Sequence, residues 1–420
     1  VLKNLKNLIF YVLILNPPNQ HIARKAAVRP VDFRQYMASS PAHAARKTAV
    51  RLEMLSFEAA YVLDNKGLFH SALQQDESCA GCQPLTFEIP SEHDAAIEHL
   101  SGCDATNQMY IAKPCRGSRA RGITLLSSAS AARALIQRRA AAARPPPSLV
   151  LQQYVTAPAL LADGHKCDIR MFVLITADAQ GSAAFLYNEA IVRRACLPFS
   201  LEVGAETHSA AEVLGTHCCN LSVRARAGGA VGPSDERTGD QSSRGAGDDE
   251  EGGGADEASV GLDALWQQLA TLGLERDVVW RRIKSVVAAS LRGVLPSVLG
   301  EEGRRATAGG AEQARAQLLG YDVLVDESGR PWLLEVNAAP HMRFDEIPLY
   351  ASLMRDTLET LLRRGGDAAW PAALGEASRE MGTAVEACEA GGTPVPSYEF
   401  EPLELRTVEC ATVWRNSLGS

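Results

Sequence analysis

The stretch Tyr321-Asp322-Val323-Leu324-Val325-Asp326-Glu327-Ser328-Gly329-Arg330-Pro331-Trp332-Leu333-Leu334-Glu335-Val336-Asn337 decides the reading of this chain. Branched and aromatic runs flank Asp326-Glu327-Ser328-Gly329, whose side chains suit a tight turn, so the segment reads as a β-hairpin. Side chains alternate along a strand, which puts Glu335 and Asn337 on one face. A turn centred near Ser328-Gly329 then places Asp322 opposite Glu335. Facing carboxylates repel across a ladder, and a bound cation relieves the conflict. Asp322, Glu335 and Asn337 together offer two carboxylates and an amide oxygen, hard ligands of the kind Mg²⁺ takes. The alternative is an ordinary hairpin with a solvated acidic face.

Working outward, 420 residues suffice for two or three domains with substantial cores. Hydrophobic residues at 46% and charged residues at 22% describe a globular protein. A net charge of −8 supplies no basic surplus for nucleic acid, though it leaves room for a local basic groove. Ten scattered cysteines suit a reducing compartment better than a disulfide framework. Cys79 and Cys82 form one CxxC with no second ligand pair, which favours free thiols over zinc. Adjacent Cys218 and Cys219 read as small buried hydrophobes.

The chain begins with Val1, so a fragment or an imprecise start is expected. Leu8 to Leu15 is apolar behind Lys3 and Lys6, like a short signal-peptide core, but is too short to span a bilayer. A buried strand explains it equally well, and neither a targeting signal nor a membrane anchor is expected.

Residues 1–84 show little periodicity and read as a poorly defined N-terminal region. From Leu85 the pattern sharpens: a strand at Met109 to Pro114, an Arg- and Gly-rich loop from Cys115 to Gly122, and a helix from Ala129 to Ala143 ended by Pro145-Pro146-Pro147. A strand follows at Leu149 to Val155. His165 to Ile175 alternates at period two, with Lys166, Asp168 and Arg170 on one face. Ala184 to Arg194 continues as strand. Residues 228–259 are Gly, Ser and acid with almost no apolar side chain, the composition of a disordered insertion. Helical spacing returns at Leu262, Leu265, Trp266 and Leu269, then at Val278 to Val287. Tyr350 to Arg364 reads as a closing helix and residues 365–420 as a mobile tail. These patterns divide the chain into regions 1–84, 85–160, 161–364 and 365–420.

Lys113 at a strand end, followed by the cationic loop Ser118 to Ile123, can fold over a polyphosphate through backbone N–H groups and point charges. Taken singly, each such residue has a bland counterpart. A Lys-Pro is usually a solvated loop, the Lys166/Asp168/Arg170 face could be a salt-bridged surface strand, and a lone His217 is more often structural than catalytic.

Their order is more specific. Tyr110-Ile-Ala-Lys-Pro114 with Ser118-Arg-Ala-Arg-Gly-Ile123, Gln152-Gln-Tyr-Val155, Lys166-Cys-Asp-Ile-Arg170, Leu186 to Arg193, His217-Cys-Cys-Asn220, and Gly320-Tyr-Asp322 to Pro340 occur in series. Over about Leu85 to Arg364 the chain resembles the tubulin tyrosine ligase-like family of ATP-grasp amino-acid ligases, with a polyglutamylase-type activity.

The resemblance implies an α+β fold of the ATP-grasp kind, with ATP held between two antiparallel sheets flanked by helices. By the same token Lys113, Arg119, Arg121, Gly122 and Ile123 belong to the phosphate site. Gln152, Gln153, Tyr154 and Val155 line the adenine, largely through backbone groups. Lys166, Asp168 and Arg170 face nucleotide and substrate, and Arg193 lies by the γ-phosphate or the carboxylate it activates. His217 and Asn220 lie near ribose and phosphates, while Asp322, Glu335 and Asn337 hold Mg²⁺. Lys166, Arg170 and Arg193 carry the catalytic expectation.

The implied reaction adds an amino acid, glutamate above glycine or tyrosine, to glutamates of α- or β-tubulin C-terminal tails through an acyl phosphate. Its implied partners are tubulin, microtubules, a free amino acid and an accessory subunit, in a cytoplasmic, cytoskeletal setting such as a cilium or basal body. A catalytically silent microtubule-associated relative, or a ligase of small metabolites, are the other readings. The chain departs from the family pattern at Ala120 (glycine in the phosphate loop), Cys167 (phenylalanine) and Cys219 (threonine). The family's N-terminal lysine is not recognisable before Leu85.

Overall fold

The computed structural model describes residues 51–53, 57–103, 107–117, 120–178, 181–202, 208–219, 259–308, 313–338 and 340, most of 349–361, and 399–403. In chain order the strands are β1 (Arg51–Glu53), β2 (Thr86–Ile89), β3 (Tyr110–Pro114), β4 (Thr124–Leu126), β5 (Leu149–Gln153), β6 (Cys167–Asp178), β7 (Gly181–Arg194), β8 (Ser259–Val260), β9 (Gln313–Val325), β10 (Pro331–Asn337) and β11 (Phe400–Pro402). The helices are α1 (Phe57–Asp64), α2 (Lys66–Gln74), α3 (His93–Gly102), α4 (Ala129–Ala140), α5 (Ala210–His217), α6 (Leu262–Thr271) and α7 (Arg276–Ala308). Residues 349–361 are helical where described.

The strands form two sheets. The smaller has the order β2-β5-β3-β4 and is antiparallel throughout. Its apolar face takes Tyr110, Ala112 and Leu151 against Leu100 of α3 and Ile136 of α4. The larger has the backbone order β1-β9-β6-β7-β11, with β10 also on β9 and β8 also on β7. It corrects the antiparallel expectation at one edge, where β1 runs parallel to β9.

The larger sheet is built on two long strands, β6 and β7, that pair along most of their length. Their inward side chains, Ile169, Met171, Val173 and Val192 among them, meet Leu265 and Leu269 of α6 and Val279, Ile283, Val286 and Val287 of α7 in one core. Each fully buried aliphatic side chain there contributes about 1.5–3 kcal/mol. The helical spacing read on α6 and α7 is largely this buried stripe.

Segments outside the patterned middle also join this sheet. Composition reads the C-terminal stretch as a tail, yet β11 pairs with β7, Phe400 lying opposite Tyr187. Helices α1 and α2, from the stretch with little periodicity, pack Leu63, Phe69, Ala72 and Leu73 into the same core. The apolar run near the N-terminus and most of the acidic insertion lie outside the described residues. Among the described residues, no helix is long and apolar enough to cross a membrane.

Candidate functional site

A cleft opens between the two sheets. The smaller sheet contributes Ile111 and Lys113 from β3 and Gln152 and Gln153 from β5. The larger contributes Lys166, Asp168 and Arg193 near the start of β6 and the end of β7, with Asp322, Leu324 and Glu335 from the hairpin. Tyr154 and Val155 line it where β5 ends, and His217 with Cys218 and Cys219 closes one side.

The hairpin owes its register to its turn and to a bulge in its second strand. Asp326 accepts from the N–H groups of Ser328 and Arg330, and Gly329 takes a positive φ of 72°. This turn, centred on Ser328, pairs Leu333 with Val323 and would set Leu334 opposite Asp322, but a register shift between Leu333 and Glu335 brings Glu335 to face Asp322 and Asn337 to face Gly320. Each acid has a cationic neighbour. Arg170 grips Asp322 with both Nε and Nη2, and Arg193 Nη2 reaches Asp322 Oδ2 at 2.8 Å. Arg193 Nε also donates to Asp168 at 2.6 Å. Burial alone would raise the Asp322 pKa, but the two guanidiniums hold it well below the ordinary carboxylate range. Glu335 pairs with Lys66 at 3.0 Å.

Lys66 also lines the cleft, a site residue not anticipated from the sequence. It is the first residue of α2, whose N-cap Asn65 accepts from the Gly67 and Leu68 N–H groups. From there its ammonium reaches Glu335 and also donates to the Gly117 carbonyl at 3.2 Å, tying the cationic loop to the hairpin. The signal was present as Asp64-Asn65 before Phe69, Ala72 and Leu73, an N-cap followed by an apolar helical face.

Lys113 donates to Gln152 Oε1 at 2.8 Å, and Gln152 passes the chain on to Thr86 at 2.9 Å. Burial pushes the Lys113 ammonium down to about 8, with Lys66 and Lys166 adding to the depression and Glu335 opposing it. Lys166 donates to the Tyr154 hydroxyl at 2.9 Å and to the His217 carbonyl at 3.1 Å. His217 Nδ1 lies 2.9 Å from the same hydroxyl, so this histidine holds Tyr154 and Lys166 in place. Adenine recognition through backbone groups was the expectation for β5. The Gln153 and Tyr154 N–H groups donate to the Leu85 and Met109 carbonyls, and the Gln152 and Tyr154 side chains accept from Lys113 and Lys166.

The cationic loop needs unusual backbone. Gly122 has φ 72°, and a Cβ there would sit 2.9 Å from Pro114. Ala120 has φ 56°, in the left-handed region that costs an L-residue about 1–2 kcal/mol. The glycine-to-alanine departure thus falls where glycine is favoured. Arg121 and Ile123 line the cleft, whereas Gly122 does not. Arg119 and Asn220 lie outside the described residues. Arg170, cross-strand from Asp322, is outside the cleft lining, and so is Asn337.

Asn337 keeps a buried amide nitrogen with no hydrogen-bond partner among the described residues. Rotating the amide would exchange that orphan for its oxygen. With Asp322 and Glu335 adjacent across the ladder, the donor set fits a hard divalent cation. Among the described residues, no three of His, Cys, Asp and Glu converge as a metal-holding group. The CxxC thiols point elsewhere: Cys79 donates to the Ala289 carbonyl of α7 at 3.1 Å and Cys82 lies near that of Val286.

A two-sheet α+β protein whose central cleft is lined by five lysines and arginines against three carboxylates is built to hold a polyanion. The class is narrowed by comparison: the Tubulin-tyrosine ligase family model matches residues 48–244 and 249–373, and the chain belongs to that family. The match starts upstream of Leu85, so it takes in α1, α2 and Lys66. Similar proteins include human "Tubulin monoglutamylase TTLL4", 27% identical over 289 residues, 67% of this chain and 20% of that protein. Human "Probable tubulin polyglutamylase TTLL2" is 22% identical over 290 residues, 67% of this chain and 41% of that protein. Mouse "Tubulin polyglutamylase TTLL6" is 26% identical over 239 residues, 57% and 25% of the two chains. The chain thus spans a fifth to two fifths of the length of these relatives.

Proposed function

We propose that this chain is an ATP- and Mg²⁺-dependent ligase of the ATP-grasp kind that joins glutamate to glutamate side chains of tubulin tails. The observation that carries this reading is the cleft itself, where Lys66, Lys113, Lys166 and Arg193 face the Asp322/Glu335 pair between two sheets. Polyglutamylase and monoglutamylase names among the relatives favour glutamate.

In the proposed reaction, an acceptor carboxylate oxygen attacks the γ-phosphorus of ATP and ADP leaves, giving an acyl phosphate. The amine of free glutamate then attacks the acyl carbon, phosphate leaves, and a proton is lost as the amide forms. No enzyme nucleophile is needed, so the protein contributes position and charge. Lys113, Lys66 and Lys166 bind and orient the phosphates. Arg193 meets charge at the transferring phosphoryl group. Asp322, Glu335 and Asn337 would hold Mg²⁺, which when bound supplies Lewis-acid polarisation of phosphate oxygens. The proposed site of work is the microtubule cytoskeleton.

Mass spectrometry of tubulin tails, after incubation with the protein, ATP, magnesium and glutamate, glycine or tyrosine separately, tests this directly. Glutamate-length mass additions are expected, and Glu335→Gln should reduce them by about 10²-fold or more. Addition of none of the three amino acids, or undiminished turnover in E335Q, would refute the proposal.

A further inference from the structure

We infer that Asp322 is a charge lock on Arg193: free of metal, its carboxylate neutralises the guanidinium, and a cation drawn to Asp322 opens Arg193 to an anion. The inference rests on the metal site proposed above and adds an order of events to it.

The lock is visible as a closed quartet of two acids and two bases. Arg170 binds Asp322 through two donors, Arg193 binds the same carboxylate and Asp168, and the charges sum to zero. The members differ in their access to the cleft. Arg193, Asp168 and Asp322 line it, while Arg170, cross-strand from Asp322, lies outside the lining. Asp322 Oδ2 receives both Arg170 Nη2 at 2.9 Å and Arg193 Nη2 at 2.8 Å, which fills its two lone-pair directions. Oδ1 takes only Arg170 Nε among the described residues.

A cation at this carboxylate therefore competes with Arg193, the partner on the cleft side, and not first with Arg170. Once Asp322 is neutralised, the remaining three groups carry a net positive charge in a buried setting. Arg193 then has Asp168 alone as counter-ion. An uncompensated buried charge is costly, and an anion entering the cleft relieves it. Metal and anion must favour each other by the same factor, since coupling between sites is reciprocal. The device delays anion capture by Arg193 until metal has arrived. It makes Arg170 a positioning residue, holding the carboxylate while its cleft-side partner is exchanged.

Asp322→Asn imitates neutralisation with no metal present. Inorganic tripolyphosphate is titrated calorimetrically, in chelator, into wild type, D322N and the D322N/R193Q double variant. D322N should bind it about tenfold tighter than wild type, within the usual range of coupling factors, and R193Q should erase the gain. Equal affinities of D322N and wild type, or a gain that survives R193Q, would overturn the lock. Should D322N not fold, R193Q alone decides. It should cost less than about twofold in chelator and about tenfold with magnesium present, and equal losses in both overturn the idea. Failure of wild type to take up magnesium–ATP, beside a positive chelator comparison, would strike the proposed ligase and leave the lock standing.

Discussion

Lys113 shows how one side chain can serve binding at the expense of folding. Its ammonium sits against Gln152 within a cleft already holding Lys66 and Lys166, and burial lowers its pKa to about 8. The unfolded chain, with lysine near 10.4, then binds more protons than the folded one between pH 8 and about 10. Stability must therefore rise with pH across that window. Phosphate affinity must move the opposite way, because the free protein loses the cation as pH climbs past 8. Relative to Lys113→Met, wild type should gain thermal stability from pH 8 to 10 while its ATP affinity falls. Parallel trends in melting temperature and affinity would contradict this account. Ala120 is the companion case. Its departure from glycine was legible in the sequence, but only the backbone, at φ 56°, shows that the position carries strain.

Elements explain why some site residues could be read in advance and others could not. Asp322 and Glu335 lie within one hairpin, so turn chemistry and alternation brought them close, while the bulge after Leu333 that sets them face to face has no local pattern to announce it. The Arg170–Asp322–Arg193 contacts depend on β6 lying between β7 and β9, a sheet order that no local pattern specifies. Lys66 was hidden for a different reason: α2 is a nine-residue helix with a short apolar face, too brief for periodicity to stand out. The edge strand β11 was lost in a tail whose composition is dominated by its polar neighbours. Gly320 gives the sheet order a test. It faces Asn337 on one side and Phe172 on the other, and a Cβ there would sit 2.9 Å from Pro340 and 3.1 Å from Arg170 Cδ. Gly320→Ala should push Arg170 off Asp322 and cost about 1–3 kcal/mol in denaturant unfolding. An alanine variant with wild-type stability and unchanged nucleotide binding would show that the close approach has no consequence.

At the scale of the whole molecule, a chain of net charge −8 is proposed to capture an acidic tail, which requires its positive charge to be gathered locally. The gathering is visible around one opening. Lys66, Lys113, Lys166 and Arg193 lie deep in the cleft, Arg121 lines it from an exposed position, and Arg116 stands exposed on the loop beside it. Arg116 stacks 4.8 Å from the Tyr61 ring centroid, which fixes its head near the N-terminus of α2. The inner cations are already bonded to protein groups, whereas the outer arginines are placed to meet a polyanion before it enters. Reversing Arg116 to glutamate should therefore raise KM for tubulin about tenfold, steeply so at low salt, while ATP affinity stays within about twofold. Steady-state kinetics over a salt series, alongside calorimetric ATP titration, separates the two effects. Should ATP affinity fall as far as tubulin KM rises, the loop would belong to the nucleotide alone, and the acidic tail would have to enter by another face.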